Sequence, residues 1–107
     1  MATTLSEFRS ALAQGAPSQA LAPAVQALWW AAKGKWDTAH DIVMKESGAD
    51  AAWVHAYLHR VEGDDDNARY WYRQARRSAA TGSLDSEWEE IAASLIATPA
   101  ATTRGAP

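Results

Sequence analysis

Residues 53–75, WVHAYLHRVEGDDDNARYWYRQA, decide the fold. Trp53, Val54, Tyr57, Leu58 and Val61 cover one broad arc at helical spacing, and Ala52 and Ala56 form a narrow seam almost opposite. A helix that is apolar nearly all round belongs at the centre of a domain, gripped from two sides. Gly63 stops it, and Asp64, Asp65 and Asp66 then place negative charge at the positive end of a second helix, expected from about Asp66 to Ser78. On that second helix Ala68, Trp71, Tyr72 and Ala75 face inward. The stretch is a helix–turn–helix hairpin, with Asp50 as the expected cap of its first helix.

Sliding the chain against itself by 29 residues pairs Ala27 with Ala56, Gly34 with Gly63, Ala39 with Ala68 and Val43 with Tyr72. A second hairpin is implied, with one helix from Pro23 to a stop at Gly34 and another from about Lys35 to Glu46, stopped near Gly48. Outside the pair, Thr4-Leu5-Ser6-Glu7 has capping-box form and opens a helix from about Leu5 to Gln14. Gly82 and Ser83 precede a last helix, about Leu84 to Ala97, with Trp88, Ile91, Ala92 and Leu95 on one face. The expected organisation is one helical domain over 1–97, a repeat core over 24–78, and a disordered tail over 98–107, TPAATTRGAP.

Composition narrows the class. Among 107 residues, 48% are hydrophobic, yet 25 are alanine and ten are aromatic, six of them Trp, so aromatic knobs must fill alanine holes. The absence of Cys removes disulfides, thiolate metal sites and thiol nucleophiles. Residues 10–32 carry no charge, but Gly15, Pro17, Ser18, Pro23 and three Gln interrupt them, so no membrane span is expected. Glu7 and Arg9 stand where a secretory signal needs an apolar run, which makes the expected location cytoplasmic. No Ser–His–Asp spacing, phosphate-cradling Gly loop or dinucleotide fingerprint points to an enzyme.

The stretches ALWWAAKGKWDTAHDIV (27–43) and AYLHRVEGDDDNARYWYRQA (56–75) have a small residue in the first helix, a Gly at the turn, then an Ala and an aromatic in the second. In this they resemble the tetratricopeptide and Sel1-like repeat superfamily, NARYWYRQA most closely resembling Sel1-like units, although 29 residues is a shorter repeat than usual. The segment WVHAYLHRVEGDDDNARYWYRQA also resembles a family of small uncharacterised proteins of bacteria, plants and fungi with a WxHAxLHxxEGD…NAxYWYxRA pattern, which implies no activity. The first resemblance implies an all-α, right-handed array of two helix–turn–helix units, with the first and last helices as caps. It implies a small non-catalytic module that binds a protein partner or itself, so a homodimer is one expectation. The residues assigned to that surface are Trp29, Trp30, Tyr70, Arg69, Arg73 and Arg76: an aromatic pair whose members project about 100° apart, and the basic stripe of the helix after Gly63. Nucleic acid is an unfavoured partner, because the chain has net charge -3 and a pI near 5.5.

The histidines support a different expectation. His55, His59 and Glu62 share a semi-buried strip of their helix, and His40 lies inside the apolar arc of Trp36, Ala39, Ile42, Val43 and Met44. Folding back near Gly48 and Ala49 sets His40 level with Tyr57, between His55 and His59. Three converging imidazoles form a candidate site for a divalent metal such as Zn, with Glu62 or Asp41 as a further ligand. The competing reading is that the imidazoles hydrogen-bond a carboxylate or a backbone carbonyl and fix helix register. Ala56 stands where H-E-x-x-H needs its Glu, which removes the base of peptidase chemistry. The Asp64–Asn67 run lacks the central Gly and closing Glu of a calcium loop.

Overall fold

A computed structural model describes residues 3–96. Among these the chain forms six α-helices and one 3₁₀ turn, with no strand: α1 (Leu5–Ser10), the turn Ala11–Ala13, α2 (Pro23–Ala32), α3 (Trp36–Met44), α4 (Ala49–Val61), α5 (Asp65–Ala75) and α6 (Leu84–Ile96). The expected all-α class is correct, and no helix is long and apolar enough to cross a membrane. The tail expected over 98–107 lies outside the described residues.

The two hairpins α2–α3 and α4–α5 turn in the same way. Gly34 and Gly63 both take positive φ, 78° and 87°, which only glycine adopts at little cost. Each turn is closed by the same backbone bonds 29 residues apart: Lys35 N–H to the Trp30 carbonyl at 3.0 Å, and Asp64 N–H to the His59 carbonyl at 2.9 Å. The residues opening the second helices, Lys35 (φ −98°, ψ 68°) and Asp64 (φ −95°, ψ 79°), also match. Ala39 and Ala68, five residues past each Gly, are both buried, as close packing across a short turn requires.

Helix α4 is the centre of the molecule. Every residue from Ala51 to His59 is buried, and α2, α3, α5 and α6 all pack on it. The six tryptophans divide between core and margin: Trp29, Trp53 and Trp88 are buried, while Trp30, Trp36 and Trp71 are half-buried. Indole N–H groups join the elements, since a buried Trp must place its single donor. Trp29 donates to the Ala11 carbonyl (3.2 Å), Trp36 to Leu58 (2.7 Å) and Trp88 to Leu28 (2.9 Å). Phe8 of α1 stacks on Trp88 of α6, with ring centres 5.6 Å apart.

Several helix ends differ from the sequence expectation. The first helix stops at Ser10 and tightens, because the Ala11 carbonyl binds Trp29 and the Leu12 carbonyl binds the Lys33 ammonium at 2.7 Å. Helix α4 is opened by Gly48 at φ 105°, and Asp50 sits inside its first turn rather than capping it. Helix α5 begins at Asp65, one residue before the expected start, with Asp64 as its cap accepting the Asn67 N–H at 3.2 Å. Helix α5 stops at Ala75, short of Ser78, where Arg76 enters the left-handed region (φ 60°, ψ 44°). The guanidinium of Arg77 lies 3.4 Å over the centre of Trp53, a cation–π contact at that turn. Met44 and Val61, placed in apolar arcs by their spacing, are exposed at the ends of α3 and α4.

Candidate functional site

His40 on α3 and His55 and His59 on α4 meet. The ring centres of His40 lie 4.8 Å from His55 and 5.3 Å from His59, and those of His55 and His59 lie 4.9 Å apart. One nitrogen from each ring falls within 4.8 Å of the others. Burial is deeper than the semi-buried strip expected: His55 is 3% and His59 7% exposed, while His40 is half-buried. Two indoles bracket the group, Trp71 stacked on His55 (3.9 Å between ring centres) and Trp36 stacked on His40 (4.6 Å). Neither indole was assigned to the cluster from sequence, although Trp36 precedes His40 by four residues and so shares its face.

Hydrogen bonds constrain the protons. His55 Nε2 and His40 Nε2 are 3.1 Å apart, so one ring donates and the other accepts through a lone pair. His59 Nδ1 is 2.6 Å from Glu62 Oε2 and donates to it, which leaves Nε2 of His59 as the nitrogen free to bind something else. Burial and then the neighbouring His40 and His59 hold the His55 pKa down at about 4. Burial and His59 also lower that of His40, against the weaker pull of Glu62, Asp41 and Asp37. At neutral pH His40 and His55 are therefore neutral imidazoles with lone pairs. A groove of about 480 Å³, bordered by Gly48, Ala52, Trp71 and Gln74, reaches His55 at the edge of the cluster.

The surface residues named from sequence do not form one patch. Trp29 is fully buried and offers nothing to a partner, and Trp30 is half-buried, edge-on to it at 4.9 Å. Tyr70, 45% exposed, lies on α5 with exposed Arg69, Arg73 and, at the helix end, Arg76. Asp66 pairs with Arg69 one turn away.

A second polar group in the core has no counterpart in the sequence expectations. Glu87 of α6, 3% exposed, accepts from Arg60 of α4 at 2.9 Å and from the Tyr72 hydroxyl of α5. Arg60 also donates to the Gly82 carbonyl. Burial and then Glu87 push the Tyr57 hydroxyl up to about 12, and burial with the Glu87 hydrogen bond raises that of Tyr72. The signal was present in the spacing: Glu87 precedes Ile91 by four residues and Leu95 by eight, so it is a carboxylate on an apolar ridge.

No family model, curated protein or solved structure matches this chain.

Proposed function

We propose that the chain is a small non-catalytic interaction module whose two hairpins stack as a right-handed, tetratricopeptide- or Sel1-like array, and that its partner is a second copy of itself. The matched turns at Gly34 and Gly63 and the packing of α3 on α4 support the array. The observation carrying the partner is the charge order on the outer face of α5. Asp66, Arg69, Tyr70 and Arg73 share that face, with acid at one end, base at the other and an exposed ring between. Laying a second α5 antiparallel on the first sets Asp66 opposite Arg73 twice and Tyr70 against Tyr70, the self-complementary pattern of a two-fold interface. Among the described residues Arg73 enters no salt bridge within its own chain, so it is available for one between chains.

Sedimentation across a concentration series tests this. The wild-type chain is expected to dimerise more weakly as salt rises. Arg73→Asp is expected to be monomeric, and the swap Asp66→Arg, Arg73→Asp is expected to dimerise again. A wild-type chain that stays monomeric at every concentration in low salt ends the self-association reading.

A further inference from the structure

We infer that His40, His55 and His59 form a Zn²⁺ site that ties the first hairpin to the second, with Glu62 positioning His59 rather than binding the ion. The inference is independent of the α5 surface.

The donor set fits on three counts. Zn–N bonds of about 2.0–2.1 Å at tetrahedral angles hold neighbouring ligand nitrogens about 3.3 Å apart. His40 Nε2 and His55 Nε2 already stand 3.1 Å apart, and the third nitrogen lies within the 4.8 Å that encloses the group. His59 can close the remainder with a side-chain adjustment, because α4 and α3 already hold all three rings in contact. In the metal-free cluster one proton fills the space between His40 and His55. When the ion takes that space the donor ring carries the proton on Nδ1 instead, so both Nε2 lone pairs become ligands with no net change in protonation.

The support around the rings has the form a metal site uses. A ligating imidazole commonly donates its second N–H to a carboxylate, which fixes the tautomer and turns the free nitrogen toward the ion. Glu62 stands 2.6 Å from His59 Nδ1 and does this before any ion arrives. Stacking on Trp36 and Trp71 holds the planes of His40 and His55, so little side-chain freedom is left to lose on binding. The groove that reaches His55 gives the ion its path in. Neutral imidazole suits Zn²⁺ and the later first-row divalent ions over Mg²⁺ or Ca²⁺, whose ligands are oxygens. The ligands come from α3 and α4, so the bound ion bridges hairpins that are otherwise joined by packing, the Trp36–Leu58 hydrogen bond and the His40–His55 contact.

The test uses tag-free protein stripped with chelator, dialysed against Zn²⁺ and analysed for metal, with Co²⁺ as the coloured probe. One equivalent of Zn²⁺ is expected, with the visible absorption of tetrahedral Co²⁺ and an unfolding midpoint that climbs with Zn²⁺ concentration. His40→Asn changes a half-buried position and is the variant most able to keep the fold, checked by circular dichroism; it is expected to lose the equivalent and the colour. Glu62→Gln is expected to keep the Co²⁺ spectrum while weakening affinity about 10–100-fold, as a positioning residue does and a ligand does not. Failure of the wild type to retain Zn²⁺ overturns the site. So does stoichiometric uptake that persists in folded His40→Asn, and an altered Co²⁺ spectrum in Glu62→Gln overturns the role given to that carboxylate.

Discussion

Helix α4 carries two polar groups into the core on different sides, and they are built on opposite principles. Arg60 follows His59 by one residue and so projects about 100° away from it. On the Arg60 side a buried carboxylate, Glu87, has donors from α4 and α5, and the guanidinium finds a further acceptor at Gly82. On the histidine side three imidazoles share one hydrogen bond among themselves, and one of them leans on a single carboxylate, Glu62. The first group is closed: each charge has its complement. The second is open: its nitrogens outnumber the hydrogen bonds they make with one another. A closed group fastens α6 to the hairpins, whereas an open one is arranged to accept an ion.

Removing a member should therefore cost much more on the closed side. Glu87→Ala strips the half-buried Arg60 of its counter-charge and leaves the Tyr72 hydroxyl unmet, so a loss of about 3–4 kcal/mol is expected from urea unfolding. His40→Ala leaves behind only a neutral nitrogen in a half-buried place, at about 1–2 kcal/mol. Equal losses at the two positions would break the contrast between them.

Acid should separate the sides next. The folded-state pKa of His55 lies at about 4, below the ordinary 6.5, so between those values the unfolded chain binds a proton that the folded chain refuses. Stability from this residue is complete above pH 6.5 and is lost as pH falls toward 4, about 3 kcal/mol in all, and the lowered His40 adds in the same direction. Urea midpoints taken in chelator at pH 7, 6 and 5 are expected to fall progressively in the wild type and to fall less in a folded His55→Asn variant. A variant that loses stability with acid as steeply as the wild type would mean that the histidine side is not the acid-sensitive one.

The open side was legible in the sequence and the closed side was not, for a physical reason. Helical periodicity places His55 and His59 on one strip, and the turn at Gly48 folds α3 back against it, so two local rules suffice to bring in His40. The Glu87 group needs the docking of α6 on α4 and α5, which no local rule supplies, and a lone Glu on a helix is ordinarily a solvated residue. Helix ends were misplaced where tertiary contacts decide them, as where Trp29 and Lys33 take the carbonyls of Ala11 and Leu12. Adjacent Trp29 and Trp30 show the limit most directly: spacing says that they diverge, and only packing says that Trp29 is the one inside.

The smallest expected effect is the coupling between the sides. Glu87 acts through Arg60 and Tyr72, and His40 through His55 and Trp36, so the two groups share the backbone of α4 but no hydrogen-bond partner. Substitutions with no shared partner add to within about 0.3–0.5 kcal/mol, whereas members of one network couple by about 0.5–3 kcal/mol. A cycle of Glu87→Gln, His40→Asn and the double variant, measured in chelator at pH 7, is expected to close within that smaller figure. Zn²⁺ leaves the expectation in place, because an ion held between α3 and α4 adds the same free energy whether or not α6 is well fastened. A coupling above about 1 kcal/mol would show that α4 transmits strain from one side to the other. The closed group would then be setting the geometry of the open one, and loosening α6 would be a way to change what the imidazoles bind.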